Sequence, residues 1–162
     1  MRRKVARWLI ECDPKATRQC FAKLAAGTPC ECGQCRNFYA AAGQTFPVGF
    51  LALLDELGID PTKPVDLCHY YREPSGLYLT GGWFHFLGSI LKGKDAMSWD
   101  KKTGNGTLQL AELVPGLLFG FTAGLALVQV PFQGLPLVQL EFQNQGAMGS
   151  GRAGASFLRR IC

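Results

Sequence analysis

Three cysteines fall within six consecutive positions, in the run Cys30-Glu31-Cys32-Gly33-Gln34-Cys35. Thiolates this close together can converge on one tetrahedral zinc ion. Cys30, Cys32 and Cys35 are therefore candidate metal ligands, with the fourth to come from Cys20, Cys68 or His69. Structural zinc sites usually show two separated ligand pairs, and this chain has no second pair. The same run contains a C-x-x-C, Cys32 and Cys35, leading into a helical pattern. A helix start lowers a thiol pKa and favours thiolate redox chemistry. A thioredoxin-like use needs a βαβ setting, whereas a helix and a loop precede this motif. A third reading requires no chemistry: reduced cysteine is a small buried hydrophobe that packs a tight loop.

His69 and His85 are the two histidines of the chain, which restricts acid–base options. Both lie in a predicted hairpin turning at Glu73-Pro74-Ser75-Gly76. Its pairing sets His69 opposite Thr80 and Tyr71 opposite Tyr78. Alternation then places Trp83 and His85 on the other face with Tyr70 and Cys68, unless Gly81-Gly82 forms a bulge that reverses the assignment. Tyr70, Trp83 and His85 are thus candidates to line an aromatic pocket. Aromatic residues are also ordinary strand formers. No nucleophile elbow, phosphate loop, dinucleotide fingerprint or H-E-x-x-H metal motif is present, and the carboxylates are scattered.

Certain elements must position these residues. Val5 to Cys12 alternates as a half-buried strand, and Asp13-Pro14 caps a helix running to about Ala26. A second helical piece ends near Ala42, and Pro47 opens another that Gly58 closes. From Val65 the period becomes two, giving the hairpin of Val65 to Arg72 with Leu77 to Leu91. Lys92 to Thr107 reads as an exposed loop, followed by strand-like runs at Leu117 to Thr122, Leu125 to Val130 and Leu137 to Gln143. In the last, Val138, Leu140 and Phe142 are expected inward, and Gln139, Glu141 and Gln143 toward water. The fold class is α+β: an antiparallel sheet of about five or six strands with two or three N-terminal helices packed on one face. Residues 1–143 make one domain, and 144–162 a flexible glycine-rich tail.

Composition sets the class. Hydrophobic residues are 48% and charged residues 18%, a globular balance. The net charge of +5 comes largely from Arg2, Arg3, Lys4, Arg152, Arg159 and Arg160 at the two ends. Basic ends without a basic run in a regular element argue against nucleic-acid binding. No signal peptide or membrane span is expected, because Arg7 and Glu11 break the first apolar segment, and Pro115 and glycines break Leu113 to Val130. The odd count of seven cysteines fits reduced thiols in the cytoplasm.

Several stretches carry a resemblance: Cys30 to Phe38 with its C-x-C-x-x-C-R-N-F pattern, Phe46-Pro47 to Asp60, Cys68-His69-Tyr70, Gly81 to Phe86, and Val138 to Phe142. In these the chain resembles an uncharacterised family of small bacterial proteins. The resemblance implies a shared fold and a bacterial origin, and no activity. The glycine-rich end departs from the short apolar, tryptophan-containing segment that similar chains carry after the last strand. The expected function is a non-enzymatic binding or interaction domain of unknown partner and oligomeric state, with a structural zinc at the cysteine loop. The alternative is a thiol-dependent redox protein or enzyme using Cys32 and Cys35.

Overall fold

A computed structural model describes residues 1–25, 38, 46–72 and 78–146. Its spine is one long strand, β4 (Tyr78–Lys92). Along one edge, β4 pairs antiparallel with two different strands. β2 (Trp8–Cys12) takes its C-terminal part, with β1 (Arg2–Val5) outside it, and β3 (Asp66–Arg72) takes its N-terminal part. The other edge belongs to β9 (Leu137–Gly146), in register from Tyr78↔Gly146 to Leu87↔Leu137. β8 (Leu117–Thr122) and β7 (Ala111–Val114) follow, giving a seven-stranded antiparallel sheet of order β1-β2-β4-β9-β8-β7 with β3 beside β4. A separate ribbon pairs β5 (Met97–Trp99) with β6 (Gly106–Leu108).

Between β2 and β3, the β4 residues Phe84 to Leu87 lack a strand partner on that edge. Helix α1 (Pro14–Ala22) fills the gap. The Asp13 amide donates to the Leu87 carbonyl, and the Leu87 amide donates to Thr17 Oγ1 at 3.1 Å. Thr17 is completely buried and donates its own hydroxyl to the Asp13 carbonyl. A buried amide left without a partner costs about 1–3 kcal/mol, so Asp13 and Thr17 carry the strand edge across its gap. Asp13 also caps the helix, its side chain accepting from the Ala16 amide at 3.0 Å, with Pro14 at the first helical position.

One face of the sheet is an aromatic core. Phe84, Phe86, Phe119, Phe121, Leu140 and Phe142 alternate onto it and are buried. Helix α2 (Val48–Leu57) lies against this core through Phe50, Leu53, Leu54 and Leu57. Phe46, just before α2, meets Phe142 edge-on at 5.1 Å and the buried, helical Phe38 at 5.7 Å. Gly58 closes α2 at φ +76°, and a Cβ there would sit 2.2 Å from the Pro14 carbonyl. Only glycine allows both the left-handed cap and the approach of α1. The sheet also curls. Trp8 on β2 touches Phe119 and Phe121 on β8, each at 5.5 Å, although β4 and β9 lie between those strands. Twist accumulated over several strands brings the ends together. Residues Lys94 to Ala96 span the rim: Trp8 Nε1 donates to the Lys94 carbonyl, and the Ala96 amide donates to Phe121 O.

The α+β class and the antiparallel sheet are as expected, and several details differ. The main sheet has seven strands rather than five or six. Val5 to Cys12 is not one strand, because Ala6 takes φ +48° in a turn between β1 and β2. Lys92 to Thr107, expected as a bare loop, contains β5 and β6. Leu125 to Val130 is not a strand, and Val130–Phe132 is a 3-10 turn. The helices do not all share one face: α2 covers the aromatic core, whereas α1 plugs an edge and sets Phe21 against Phe132 at 5.2 Å. β9 continues to Gly146, with Asn144 buried; the expected tail from residue 147 on and the helical piece ending near Ala42 lie outside the described residues. No described helix is long and apolar enough to cross a membrane.

Candidate functional site

Register places the chemistry on the second face of the sheet. Side chains opposite one another on paired strands share a face. Asp66, Trp83, Glu141 and Gly120 form one row across β3, β4, β9 and β8, while Cys68, Gly81, Gln143, Leu118 and Glu112 form the next, reaching β7. His85, Gln139 and Thr122 form a third. The pattern predicted Gln139, Glu141 and Gln143 in water. Gln139 is instead 4% exposed and Glu141 8%, with Gln143 half-buried. The cause is the segment 123–136, which folds back over this face and seats Phe132 against His85, ring centroids 6.3 Å apart.

Hydrogen bonds join the buried polar groups into one chain. Gln139 Oε1 accepts from the Ala126 amide at 2.8 Å and lies 3.0 Å from His85 Nε2. A backbone amide can only donate, so this atom is the amide oxygen and His85 Nε2 carries the proton. Gln139 Nε2 in turn donates to Glu141 Oε1. Trp83 Nε1 donates to the Ala126 carbonyl at 3.2 Å, so both polar groups of Ala126 are tied to the sheet. His85 Nδ1 is buried and has no partner among the described residues. Burial holds the His85 imidazole below its ordinary 6.5, opposed by the Gln139 bond, and so keeps it neutral. Burial pushes Glu141 above its ordinary 4.5, opposed by the same glutamine. Asp66 is likewise pushed up by burial, opposed by the bond its carboxylate accepts from the Leu67 amide.

Among the predicted site residues, Tyr70, Trp83 and His85 do come to one region. A register shift between His69 and Tyr71, not one at Gly81-Gly82, marks the irregularity of the hairpin. His69 pairs with Thr80 as expected, and the shift sets Tyr71 opposite Leu79 rather than Tyr78. Tyr70 folds over Gly81, where a Cβ would lie 2.7 Å from its ring, and hydrogen-bonds Gln143. Tyr70 is 48% exposed and Trp83 half-buried, whereas His85 is sealed behind them. Glu141, Gln143 and Asp66 lie on the same face, and an alternating polar strand gave no sign of their burial. A shallow cleft of about 190 Å3 opens beside Gln143, bounded by Leu79, Leu118 and Glu112.

Cys30, Cys32 and Cys35 lie outside the described residues, as does the side chain of His69. Of the proposed fourth ligands, Cys20 is buried and donates to the Pro131 carbonyl, and Cys68 is half-buried on β3. Among the described residues no group of three or more His, Cys, Asp or Glu is placed to hold a metal. A larger cleft, between α1 and the turn after α2, has its cations already engaged: Arg18 with Asp55, and Lys63 with the Phe21 and Leu24 carbonyls. Comparison with protein families, characterised proteins and solved structures gives no match to this chain.

The buried acid makes stability depend on pH with a definite sign. A carboxyl raised in the fold contributes stability that is complete below its unfolded value and is lost as pH rises through the folded one. Glu141→Gln keeps the acceptor for Gln139 and removes that loss. Relative to the parent protein, the variant should gain about 1 kcal/mol or more between pH 4.5 and neutrality, measured by urea unfolding. His85 has the opposite sign, losing stability as pH falls below 6.5, but it is common to both proteins. A difference that stays constant with pH would mean that folding does not raise the Glu141 carboxyl.

Proposed function

We propose that this chain is a non-enzymatic binding domain whose ligand sits on the polar sheet face, over Glu141 and between Tyr70 and Trp83. The observation that carries the reading is the company these residues keep. Two aromatic rings at the surface flank a carboxyl group that is 8% exposed. Burying polar groups costs several kcal/mol unless they are fully partnered. A face reserved for solvent has no use for them. His85 is walled off by Phe132 and held by Gln139, which suits a supporting role beneath the site rather than acid–base catalysis in it. A set of small neutral and charged fragments, followed by two-dimensional NMR, tests this reading. Binders should move the signals of Tyr70, Trp83 and Gln143 together, and Tyr70→Ala should abolish the effect. Fragments that leave these three residues unmoved would overturn it.

The cysteine loop belongs to the same proposal as a structural zinc site using Cys30, Cys32 and Cys35, in a protein of the reducing cytoplasm and, by its resemblance, of bacterial origin. Support for it is the spacing of the three cysteines. Metal analysis of freshly purified protein should return about one zinc per chain, with chelation lowering thermal stability. Protein that is folded and metal-free would remove zinc from the account.

A further inference from the structure

We infer that the ribbon of β5 and β6, with the basic rim at its base, is a binding surface for single-stranded nucleic acid; this goes beyond the polar-face reading and uses none of its residues. Such binding needs an exposed ring for a base to stack on and cations to follow the phosphates. The ring is Trp99, which is 67% exposed. Every residue from Ser98 to Thr107 is exposed, so the ribbon stands out from the core. Trp99 pairs across the ribbon with Gly106, where a Cβ would lie 3.0 Å from its six-membered ring. The indole therefore rests on bare backbone and keeps much of its surface open to solvent.

The turn beside Trp99 is ordered before any partner arrives. The Asp100 amide donates to the Asn105 carbonyl at 2.9 Å, and the Gly104 amide donates to the Asp100 carbonyl at 2.8 Å. The Asp100 carboxylate accepts from the Lys102 amide at 2.8 Å, and Gly104 takes φ +69°. A surface fixed in advance loses less conformational freedom on binding.

The cations come from separate segments that only the fold gathers, which is why the sequence shows no basic run. Lys4 on β1 faces Leu9 on β2, and Leu9 faces Lys92 on β4. Trp8 and Ile10 are buried, so this row points outward, with Lys4 and Lys92 two strand spacings, about 10 Å, apart. Arg7 lies over the Trp8 ring at 4.1 Å and donates to the carbonyl of Gln109, the residue just after β6. Trp8 Nε1 holds the Lys94 carbonyl, which brings Lys94 to the same base of the ribbon. Lys101 and Lys102 lie exposed in its turn. Among the described residues none of these cations forms an ion pair. The nearby acids are engaged elsewhere: Glu11 with Arg2, Asp95 with the Met97 and Ala123 amides, and Asp100 within its own turn. Positive charge is left in excess from the rim to the tip.

The surroundings of Trp99 select among polyanions. A phospholipid surface is met by apolar side chains that insert together, whereas the ribbon around Trp99 offers Ser98, Thr103, Asn105 and Thr107. A duplex keeps its base faces within its own stack, and an unpaired base presents one to an aromatic ring.

A labelled single-stranded oligothymidylate is the probe, followed by fluorescence anisotropy and by the indole N–H signals. It should bind saturably and move the Trp99 signal while those of Trp8 and Trp83 stay in place. Binding should weaken with salt, the logarithmic slope being about −0.7 for each phosphate neutralised. Trp99→Ala should weaken binding about tenfold or more and leave that slope unchanged. Lys101→Gln combined with Lys102→Gln should make the slope shallower by about 0.7 for each contact removed. The substituted positions are exposed, so these variants should unfold at the parent temperature. Unchanged affinity in Trp99→Ala, or equal binding of polyglutamate or of duplex DNA, would overturn the inference. So would anionic phospholipid vesicles that move the Trp99 signal when the oligothymidylate does not.

Discussion

The pairing of β4 with β9 is the constraint on which the rest of the molecule depends. Ten residues of each strand run in unbroken register, and because side chains alternate, that one ladder decides the contents of both faces. Phe84, Phe86, Leu140 and Phe142 go to the aromatic core under α2. Trp83, His85, Gln139 and Glu141 go to the opposite side. A slip of one residue would put phenylalanines on the polar face and a glutamate among rings. Gly82 helps to lock the register, because a Cβ there would lie 2.3 Å from the Asp66 carbonyl.

The polar face is held by a different logic. Each of its groups is costly alone, and each is tolerated because the next one satisfies it. Gln139 occupies the centre, since its two ends meet the two kinds of need: its oxygen takes the protons of His85 and Ala126, and its nitrogen serves Glu141. The covering segment is thereby tied to the sheet through Ala126 and wedged by Phe132 between His85 and Phe21. Positive φ at Leu127, exposed next to this anchor, shows the backbone bending to keep the tie. Among the described residues two buried side-chain atoms are left without a partner, His85 Nδ1 on the sheet and Gln129 Oε1 in the covering segment.

Much of this fold was legible in the chain. Asp13-Pro14 announced α1, Pro47 and Gly58 framed α2, and the hairpin of β3 and β4 followed from its turn residues. These are local signals, each contained within a few positions. What escaped was non-local. Alternation along Leu137 to Gln143 says that one side is apolar, and the usual inference sends the other side to water. Here residues 123–136 return over that side, and the strand-like run at Leu125 to Val130 points to another sheet strand instead of to a covering segment. That Tyr70, Trp83 and His85 fall on one face could be read from the hairpin, whereas the place of Glu141 and Asp66 beside them needed the three-dimensional rows. The irregularity falls at Tyr70, whereas the sequence left Gly81-Gly82 open as a bulge, glycine being the commoner sign of one.

The central claim is that Glu141 is an acid pushed above its ordinary value by burial inside a hydrogen-bonded face, rather than a solvated surface glutamate. Its carboxyl carbon can be followed directly by 13C NMR across a pH titration of the intact protein. The account predicts a midpoint above the ordinary 4.5 of a glutamate, moving with the Gln139 amide signals. A midpoint at or below 4.5, with Gln139 unmoved, would contradict it and return this face to solvent.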